Sequence, residues 1–479
     1  MGRHPAAKAF FMILCLAASA CMRLGPDYER PDTGIDIPKA YKERKTAKTR
    51  NYLPQDFWWR EFDDPHLNRV VENALRGNQD ISKAAASVSE AAAVAGQTAA
   101  DQFPTLNLNS DASRREQSFV SPMAGGYQSV KIDSFSLTLP ASYEIDLWGR
   151  LARATEAARA ELLAAEKNRQ AIAQSLVSEA AAQYFNIRYL QRQLDVSREL
   201  EKSYRQNLEL IKARYRRGLA SELELRQARR SLAQSGSEIP PLKQSIGKAQ
   251  HKLAVLQGKY PEAETLQTVL EAGFELPPAI PAGLPSELLN RRPDIRAAEA
   301  SLKAACAKIG AAKANRFPQI SLTGSFGYTS EELDLLFEPR NQMWQVAADM
   351  VQPIFDAGKR KAAQRAAEAR YEKQLAAYTK TVLEAFAEVE GALLTREQQI
   401  DRYQRLKAYL SEAEKTLNTA LNRYQRGVTD YLNVLDAQQA KYQAELSLLD
   451  TQYKIYANRV SLYRALGGGW GSREALANQ

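Results

Sequence analysis

Two very long helical patterns constrain the fold of this chain more than any other feature. Leu151–Arg216 contains neither proline nor glycine. At about 1.5 Å per residue it predicts a helix on the order of 100 Å long, which exceeds the size of an ordinary domain. A second pattern covers Lys359–Arg426 and has one weak position, Gly391. The chain is therefore expected to be mainly α-helical.

Each long pattern ends at a glycine and resumes a few residues later. The first breaks at Arg217-Gly218 and restarts at Ser221, with two glutamates in the new first turn. The second breaks at Arg426-Gly427 and is followed by a final helix over Tyr431–Leu466. Glycine just after the last turn is a typical helix stop signal, so both breaks predict helical hairpins with tight tips.

Two pairs of alternating segments lie between the helical stretches. The stretch Phe103–Tyr143 predicts two strands around a polar loop at Ser121–Gly126. The segments Gln319–Tyr328 and Met343–Val351 predict a second pair around the loop Glu331–Arg340. Each segment is about as long as the 9–11 residues of a tilted membrane strand.

The two halves of the chain repeat one scheme. Each begins with a helix, over Pro65–Ala100 and from Pro293, and continues with a strand pair and a long hairpin. Landmarks recur in order about 210 residues apart, which indicates an internal duplication rather than chance similarity between alanine-rich helices. They are Phe103-Pro104 with Phe317-Pro318, Asp146–Arg150 with Asp356–Arg360, and Arg214–Gly218 with Arg423–Gly427.

The N-terminus has the order of a secretory signal. Arg3 and Lys8 supply positive charge, Ala9–Ala18 is apolar, and small residues precede Cys21. This order predicts cleavage before Cys21 and acylation of that cysteine. Cleavage at a plain A-x-A site, which would leave an ordinary N-terminus, is the alternative.

Composition argues against catalysis and against nucleic-acid binding. The formal net charge of +9 comes from acids and bases that interleave, without a basic block carrying aromatic residues. The histidines are His4, His66 and His251, and no HExxH, CxxC or P-loop motif occurs. We therefore expect no catalytic residues, no metal site and no cofactor. After processing, Cys306 would be the one remaining thiol, so stability must come from helical packing or oligomerisation rather than disulfides.

The strand segments bear on how such a chain could cross a membrane. The sequence after the signal has no run of 18 apolar residues, so a crossing would have to use β-strands. Four strands cannot close a barrel, because the smallest barrels have about eight. Several chains would therefore share one barrel. A small soluble sheet that caps a coiled-coil stalk is the alternative.

Motifs along the whole mature sequence point to one family. The chain resembles the TolC-like outer-membrane factors, specifically their lipoprotein branch in multidrug and metal efflux. The motifs that carry this resemblance are Gly25–Tyr28, Arg30-Pro31, Asp146–Arg150, Asn290–Ile295, Phe317-Pro318, Gln352–Asp356, Tyr431–Gln438 and Ala465–Trp470.

The resemblance implies a homotrimer and a division of the chain. Twelve strands, four from each chain, would form an outer-membrane β-barrel, and twelve helices would form a periplasmic α-barrel tunnel with a mixed equatorial domain around it. The expected division is a signal peptide at 1–20, a lipidated extended segment at 21–66, a first repeat at 67–234, an equatorial segment of linker and short elements at 235–292, a second repeat at 293–466, and an equatorial tail at 467–479.

The resemblance also implies a function without chemistry. The chain would be the passive outer-membrane channel of a tripartite efflux or secretion system, anchored by lipid in the outer membrane. Its partners would be a periplasmic adaptor and an inner-membrane pump of the RND or ABC type. The alternative is a non-transporting periplasmic coiled-coil lipoprotein that acts as a spacer. The paired strand segments favour the channel.

The hairpin tips are the first candidate site. Arg217, Gly218 and Leu219 correspond to the family's tip motif, and Arg426, Gly427 and Val428 repeat it in the second half. By resemblance, both tips contact the hairpins of the periplasmic adaptor. The alternative is purely structural, since glycine by itself explains a tight turn between two helices.

The start of the final helix is the second candidate site. Leu432 and Asp436 are four residues apart and therefore share one helix face, and Asn433 is their neighbour. By resemblance, this face lines the narrow periplasmic end of the tunnel and forms its gate, with an apolar ring and an acidic ring. The alternative for Asp436 is an exposed residue in an early turn, which the helix dipole favours.

Overall fold

The structure is a computed structural model that describes residues 23–32, 34–38, 41–42, 57–121, 126–261 and 285–468. The signal segment, Cys21, the centre of the loop at Ser121–Gly126 and the tail after residue 468 lie outside the described residues. Two compact units are present. The first comprises Met1–Asp32, Ser87–Glu166 and Ala297–Thr379, and the second comprises Thr33–Ala86, Lys167–Arg296 and Lys380–Gln479.

Helices dominate the described residues, as predicted. The two long helices each have 67 residues, which corresponds to about 100 Å of helix. No helix in the described ranges is long and apolar enough to span a membrane. In chain order the helices are α1 Pro65–Gly77, α2 Gln79–Ala100, α3 Arg150–Arg216, α4 Glu222–Leu256, α5 Pro285–Arg291, α6 Pro293–Ala314, α7 Lys359–Gln425 and α8 Tyr431–Ala465.

The predicted single helix over Pro65–Ala100 is wrong, because it is broken at Asn78. The backbone of Asn78 is extended, with φ −71° and ψ 131°. Its side-chain oxygen accepts hydrogen bonds from the backbone N–H groups of Asp80 at 2.9 Å and Ile81 at 3.3 Å. Asn78 therefore ends α1 and caps α2, a role for which asparagine is well suited.

The predicted linker over Ser235–Pro293 is also wrong in its first part. Helix α4 continues through Pro240 and Pro241 to Leu256, so the expected boundary between 234 and 235 falls inside a helix. Two prolines remove two backbone hydrogen bonds and would ordinarily end a helix. Both prolines lie on the exposed side of α4, where water can reach the freed carbonyl groups. Buried residues before and after them, such as Ala228 and Leu253, keep the helix packed.

The four predicted strand segments are confirmed, and they form one antiparallel sheet in the first unit. β3 pairs on one edge with β1 and β2 and on the other with β4, which in turn pairs with β5. Because β3 belongs to the first repeat and β4 to the second, the strands of both repeats form a single sheet. The strands are β1 Thr105–Leu106, β2 Asn109–Ser121, β3 Gly126–Ile145, β4 Gln319–Ser330 and β5 Gln342–Val351.

Residues 23–32, here called the N-terminal strap, lie extended against α3 and α6 in the first unit. The N–H of Leu24 donates to the carbonyl of Trp148 at 3.1 Å. Gly25 has φ +103°, and a Cβ there would lie 2.4 Å from Cα of Gly310. Two glycines therefore let the strap touch the helix backbone. Cys306 is buried beneath it, and burial raises the pKa of its thiol.

Aromatic side chains fill part of the core of the second unit near the C-terminal end of α8. The rings of Trp58 and Tyr463 stack with centroids 4.8 Å apart, and Phe185 lies 5.0 Å from both Phe62 and Tyr456. These rings come from the 3-10 helix Trp58–Phe62, from α3 and from α8. Burial of such large rings supplies much of the packing energy available to this unit.

The two repeats close by equivalent contacts in the second unit. The side-chain amide of Asn78 donates to the carbonyl of Leu256 at the end of α4, at 3.0 Å. The guanidinium of Arg292 donates to the carbonyl of Ala465 at the end of α8, at 3.3 Å. The two donors lie about one repeat length apart in the sequence, and so do the two acceptors. The structure therefore repeats the duplication seen in the sequence down to the caps of its helices.

We predict that Gly77→Ala destabilises the protein. A Cβ at position 77 would lie 2.1 Å from the carbonyl oxygen of Gln257, so the junction between α1 and the end of α4 must shift. Overpacking of this kind costs about 1–3 kcal/mol. The matched control is Gly96→Ala, where no atom lies within 4 Å of the new Cβ and the gain is about 0.5–1 kcal/mol of helix stability. Thermal unfolding in detergent, followed by circular dichroism, should show opposite shifts, and equal shifts would contradict the packing argument.

Candidate functional site at the helical hairpin tips

The two hairpins of the second unit end in turns of the same geometry. Gly218 has φ +74° and Gly427 has φ +75°. After each glycine, the backbone N–H of Leu219 donates to Arg214 O and that of Val428 donates to Arg423 O, both at 2.9 Å. This six-to-one hydrogen bond beside a left-handed residue is the Schellman motif. No atom lies within 4 Å of a Cβ at either glycine, so conformation rather than space requires glycine here.

Both turns expose the residues that the sequence proposed as docking sites. Leu219 is 62% exposed and Val428 is 61% exposed. Arg217 and Arg426, which precede the glycines, are exposed as well. Each tip thus presents one apolar side chain beside one guanidinium group.

The two tips differ in how the following helix begins. Ser221 and Glu224 form a capping box at the start of α4, in which Ser221 N donates to Glu224 at 2.6 Å and Glu224 N donates to Ser221 Oγ at 3.3 Å. Asp430 precedes α8 without a side-chain capping bond. Instead, the amide of Asn433 donates to Thr429 Oγ1 at 2.7 Å. The first tip therefore has the stronger helix start.

The candidate gate residues lie together on the open side of α8. Leu432, Asn433 and Asp436 are exposed, and Leu432 is 59% exposed. Tyr431 and Leu435, the residues on either side of this face, are buried. The first turns of α8 therefore have one packed face and one free face, and the free face carries the predicted apolar and acidic side chains.

The packed face of α8 belongs to a hydrophobic cluster beneath the tips. It draws on both hairpins, and it includes tyrosines from α3, α7 and α8. Gln438, which is 2% exposed, links α8 to α3 beside this cluster. Its side-chain oxygen accepts a hydrogen bond from Asn207 at 2.9 Å, and its side-chain nitrogen donates to Ser203 Oγ at 2.7 Å. The cluster contains Val196, Leu200, Tyr204, Leu208, Ile211, Leu225, Ala228, Tyr424, Tyr431, Val434, Leu435 and Tyr442.

A polar contact joins the two tips above this cluster. The hydroxyl of Tyr424 donates to Glu224 Oε1 at 3.1 Å, while the other oxygen of Glu224 serves the cap at Ser221. The guanidinium of Arg214 lies 5.0 Å from the ring centre of Tyr424 and donates to Gln425 O at 3.4 Å. Burial, followed by the charge of Glu224, raises the pKa of Tyr424 to about 12, so this hydroxyl stays protonated as the donor.

The contact between Tyr424 and Glu224 was not predicted from the sequence, although the internal repeat held a signal for it. Tyr424 corresponds to Tyr215 in the first repeat, yet Tyr215 is exposed and Tyr424 is buried. The difference arises at Tyr431, whose counterpart is Glu222, so only the second tip has a ring for Tyr424 to pack against, at 5.5 Å. Among the described residues, no group of three or more His, Cys, Asp or Glu side chains is arranged to hold a metal ion.

We predict that Tyr424→Phe and Tyr431→Phe have different effects although both remove a buried hydroxyl. The Tyr424 hydroxyl bonds to a carboxylate, and its loss should cost about 1.5 kcal/mol. The Tyr431 hydroxyl is buried without a partner among the described residues, so its removal should be neutral or stabilising. Thermal unfolding of the two variants beside the wild type provides the measurement. A larger loss in Tyr431→Phe would show that its hydroxyl has a partner in the assembled protein.

Several known proteins are similar to this chain over nearly its whole length. The family model described as outer membrane efflux protein matches residues 70–259 and 284–468. The cation efflux system protein CusC of Escherichia coli is 35% identical, over 95% of this chain and 97% of that protein. The probable outer membrane lipoprotein SilC of Salmonella typhimurium is 33% identical, over 94% of this chain and 96% of that protein.

Solved structures agree with the sequence comparison. The outer-membrane channel OprN has a TM-score of 0.86 and 31% identity, covering 94% of this chain and 99% of that chain. The fold is thus that of the outer-membrane efflux channels, in agreement with the resemblance drawn from the motifs. The chain belongs to the outer membrane efflux protein family.

Proposed function

We propose that this protein is the outer-membrane channel of a tripartite efflux or secretion system and conducts solutes passively, without catalysing a reaction. It would act as a homotrimer, anchored by lipid at Cys21. A periplasmic adaptor and an inner-membrane pump of the RND or ABC type would deliver its cargo. The observation that carries the proposal is the open apolar face of the sheet.

The sheet has two chemically different faces. In β5, Trp344, Val346 and Met350 point to one face and are 74%, 76% and 69% exposed. Their cross-strand partners continue an apolar face, which comprises Leu137, Leu139, Tyr143, Leu322, Phe326, Trp344, Val346 and Met350. The alternate positions form a mostly polar face, in which Met343 and Val351 are apolar exceptions, and its polar members include Ser136, Thr138, Ser142, Ser321, Thr323, Ser325, Thr329 and Gln345.

Lipid on one face and water on the other account for this pattern. A soluble protein rarely leaves an apolar patch of this extent uncovered. The paired stretch Phe135–Ile145 has about the 9–11 residues that a tilted strand needs to cross the hydrocarbon core. Beyond this stretch, charged side chains face each other across neighbouring strands, as in the ion pair between Arg114 and Asp133 at 2.8 Å. The spacer alternative offers no reason for an exposed apolar band.

The sheet edges support a shared barrel. Within the described residues, β2 and β5 each pair on one side only. Unpaired strand edges in lipid are prohibitively costly, so further copies of the chain must supply the missing neighbours. Four long strands from each of three chains would give twelve, within the size range of membrane barrels.

The tips are the proposed contact for the adaptor. Leu219 and Val428 are exposed apolar residues on rigid Schellman turns, flanked by Arg217 and Arg426. An apolar anchor with a cation beside it suits a helical partner with a small apolar groove and acidic neighbours. SilC, named a lipoprotein, supports the proposed anchor at Cys21.

We predict that the membrane-extracted protein is an acylated trimer. Native mass spectrometry in detergent should give three times the mass of the processed chain, with acyl mass on Cys21 and residues 1–20 absent. Cys21→Ser is the matched control and should lose the acyl mass while remaining trimeric, because the strands rather than the lipid close the barrel. A stable monomer would overturn the channel, and an unmodified thiol at Cys21 would overturn only the anchor.

We further predict that Leu432 and Asp436 form the periplasmic gate. Replacing both with alanine should raise single-channel conductance in a planar bilayer several-fold, because bulk and charge leave the narrowest point together. Asp436→Ala alone should mainly reduce the preference for cations. The repeat offers a control in Leu223→Ala with Gln227→Ala, the equivalent positions on α4. Wild-type conductance in the gate variant, or an equal rise in the control, would place the constriction elsewhere.

A further inference from the structure

A cavity of about 290 Å³ lies in the first unit beside the N-terminal strap. The strap, the residue Gln102 just after α2, the first turns of α3 and one residue of α6 line it, and it is open to the surface on one side. Arg23, Arg159 and Lys303 are among its lining residues, so three different segments of the chain supply its positively charged side chains. Neither the tips nor the sheet accounts for this concentration of charge.

None of these three side chains has a partner of opposite charge within the part of the chain that the structure describes. Among the described residues, no carboxylate lies within ion-pair distance of Arg23, Arg159 or Lys303. Glu156 also lines the cavity, but its carboxylate is held by Arg153 at 2.8 Å. With three basic residues and one acidic residue in its lining, the cavity therefore carries a net positive charge.

Buried contacts hold the walls of the cavity in place. Arg153 has a side chain only 3% exposed, and it bonds Asp27 of the strap at 2.7 Å in addition to Glu156. Its Nε donates to Leu24 O at 3.4 Å. The contact between Gly25 and the helix backbone fixes the strap further. The backbone of Arg23 is thereby held through Leu24, while Arg23 and Arg159 are exposed and Lys303 is half-buried, so the cavity has fixed walls and opens to the surface.

The chain itself places this cavity near the membrane, an argument that rests on the proposed acylation of Cys21. Arg23 follows Cys21 by two residues, and two extended residues span at most about 7 Å. The acyl chains must enter the lipid, so Arg23 lies close to the head-group layer. Side chains of a helix lean toward its N-terminus, which for α3 is the end next to β3, so Arg159 leans the same way.

We propose that this cavity binds the phosphate head group of an anionic phospholipid from the leaflet that holds the lipid anchor. Guanidinium groups bind phosphate oxygens through paired hydrogen bonds, and a lysine adds a mobile point charge. Arg23 and Arg159 supply the first kind of contact and Lys303 the second. Such a lipid would fasten the strap to α3 and α6 and set the depth of the first unit in the membrane.

The test is lipid retention measured by native mass spectrometry on the full-length trimer in detergent. Phosphatidylglycerol, phosphatidylethanolamine and inorganic phosphate are titrated separately. Each cation near an anionic surface contributes about fivefold to binding, so Arg159→Gln with Lys303→Gln should weaken phosphatidylglycerol binding by about 25-fold. The matched control is Arg230→Gln with Lys243→Gln, two exposed cations on α4, and it should bind like the wild type.

The outcomes separate this proposal from the channel function. Loss of phosphatidylglycerol binding in the cavity variant, with trimer mass and conductance unchanged, supports the site. Equal binding by the cavity variant and the control would overturn it. Binding of inorganic phosphate without binding of phosphatidylglycerol would overturn the lipid as the ligand. Repeating the titration on Cys21→Ser tests the site when the anchor is absent, so failure of acylation and failure of the cavity are distinguishable.

Discussion

The last carbonyl groups of the return helices α4 and α8 fix how each repeat closes on itself. A carbonyl withdrawn from water without a donor costs about 1–3 kcal/mol, so these helices can end only where a donor is supplied. Asn78 supplies it to Leu256, and Arg292 supplies it to Ala465. Both donors stand at the start of the repeat whose last helix they cap. This junction therefore ties the last helix of each repeat to the segment that precedes its first long helix.

The two repeats cap these last carbonyl groups with different side chains at equivalent backbone positions. Asn78 is neutral and needs no counter-ion. Arg292 is only 7% exposed, and a buried guanidinium is tolerated because Asp294 and Glu388 pair with it at 2.5 and 2.6 Å. A second bridge even reverses direction: Gln183 of α3 donates to Ala249 O, whereas Asn458 of α8 donates to Ala392 O, both at 2.9 Å. Duplication thus preserved the helix geometry while the side chains diverged.

The side-chain differences between the two repeats matter most at the proposed functional surfaces. At the tips, the exchange of Glu222 for Tyr431 buries Tyr424 in one repeat and leaves Tyr215 exposed in the other. The second tip also lacks the capping box of the first, so the helix that carries the proposed gate has the weaker start. In the sheet, by contrast, the repeats merge, because β3 of one pairs with β4 of the other. A symmetrical backbone therefore supports an asymmetrical set of functional surfaces.

Features that depend on local rules could be predicted from the amino-acid sequence. Uninterrupted helix formers gave the long helices, left-handed glycines at 218 and 427 gave the tips, and period-two alternation gave the strands. Tertiary structure decided what depends on neighbours. It carried α4 through Pro240 and Pro241 and joined the two strand pairs into one sheet. It also brought the basic residues Arg23, Arg159 and Lys303 together around one cavity from segments that lie far apart in the chain. Packing and hydrogen-bond satisfaction are summed over the whole fold, and no local window of sequence contains that sum.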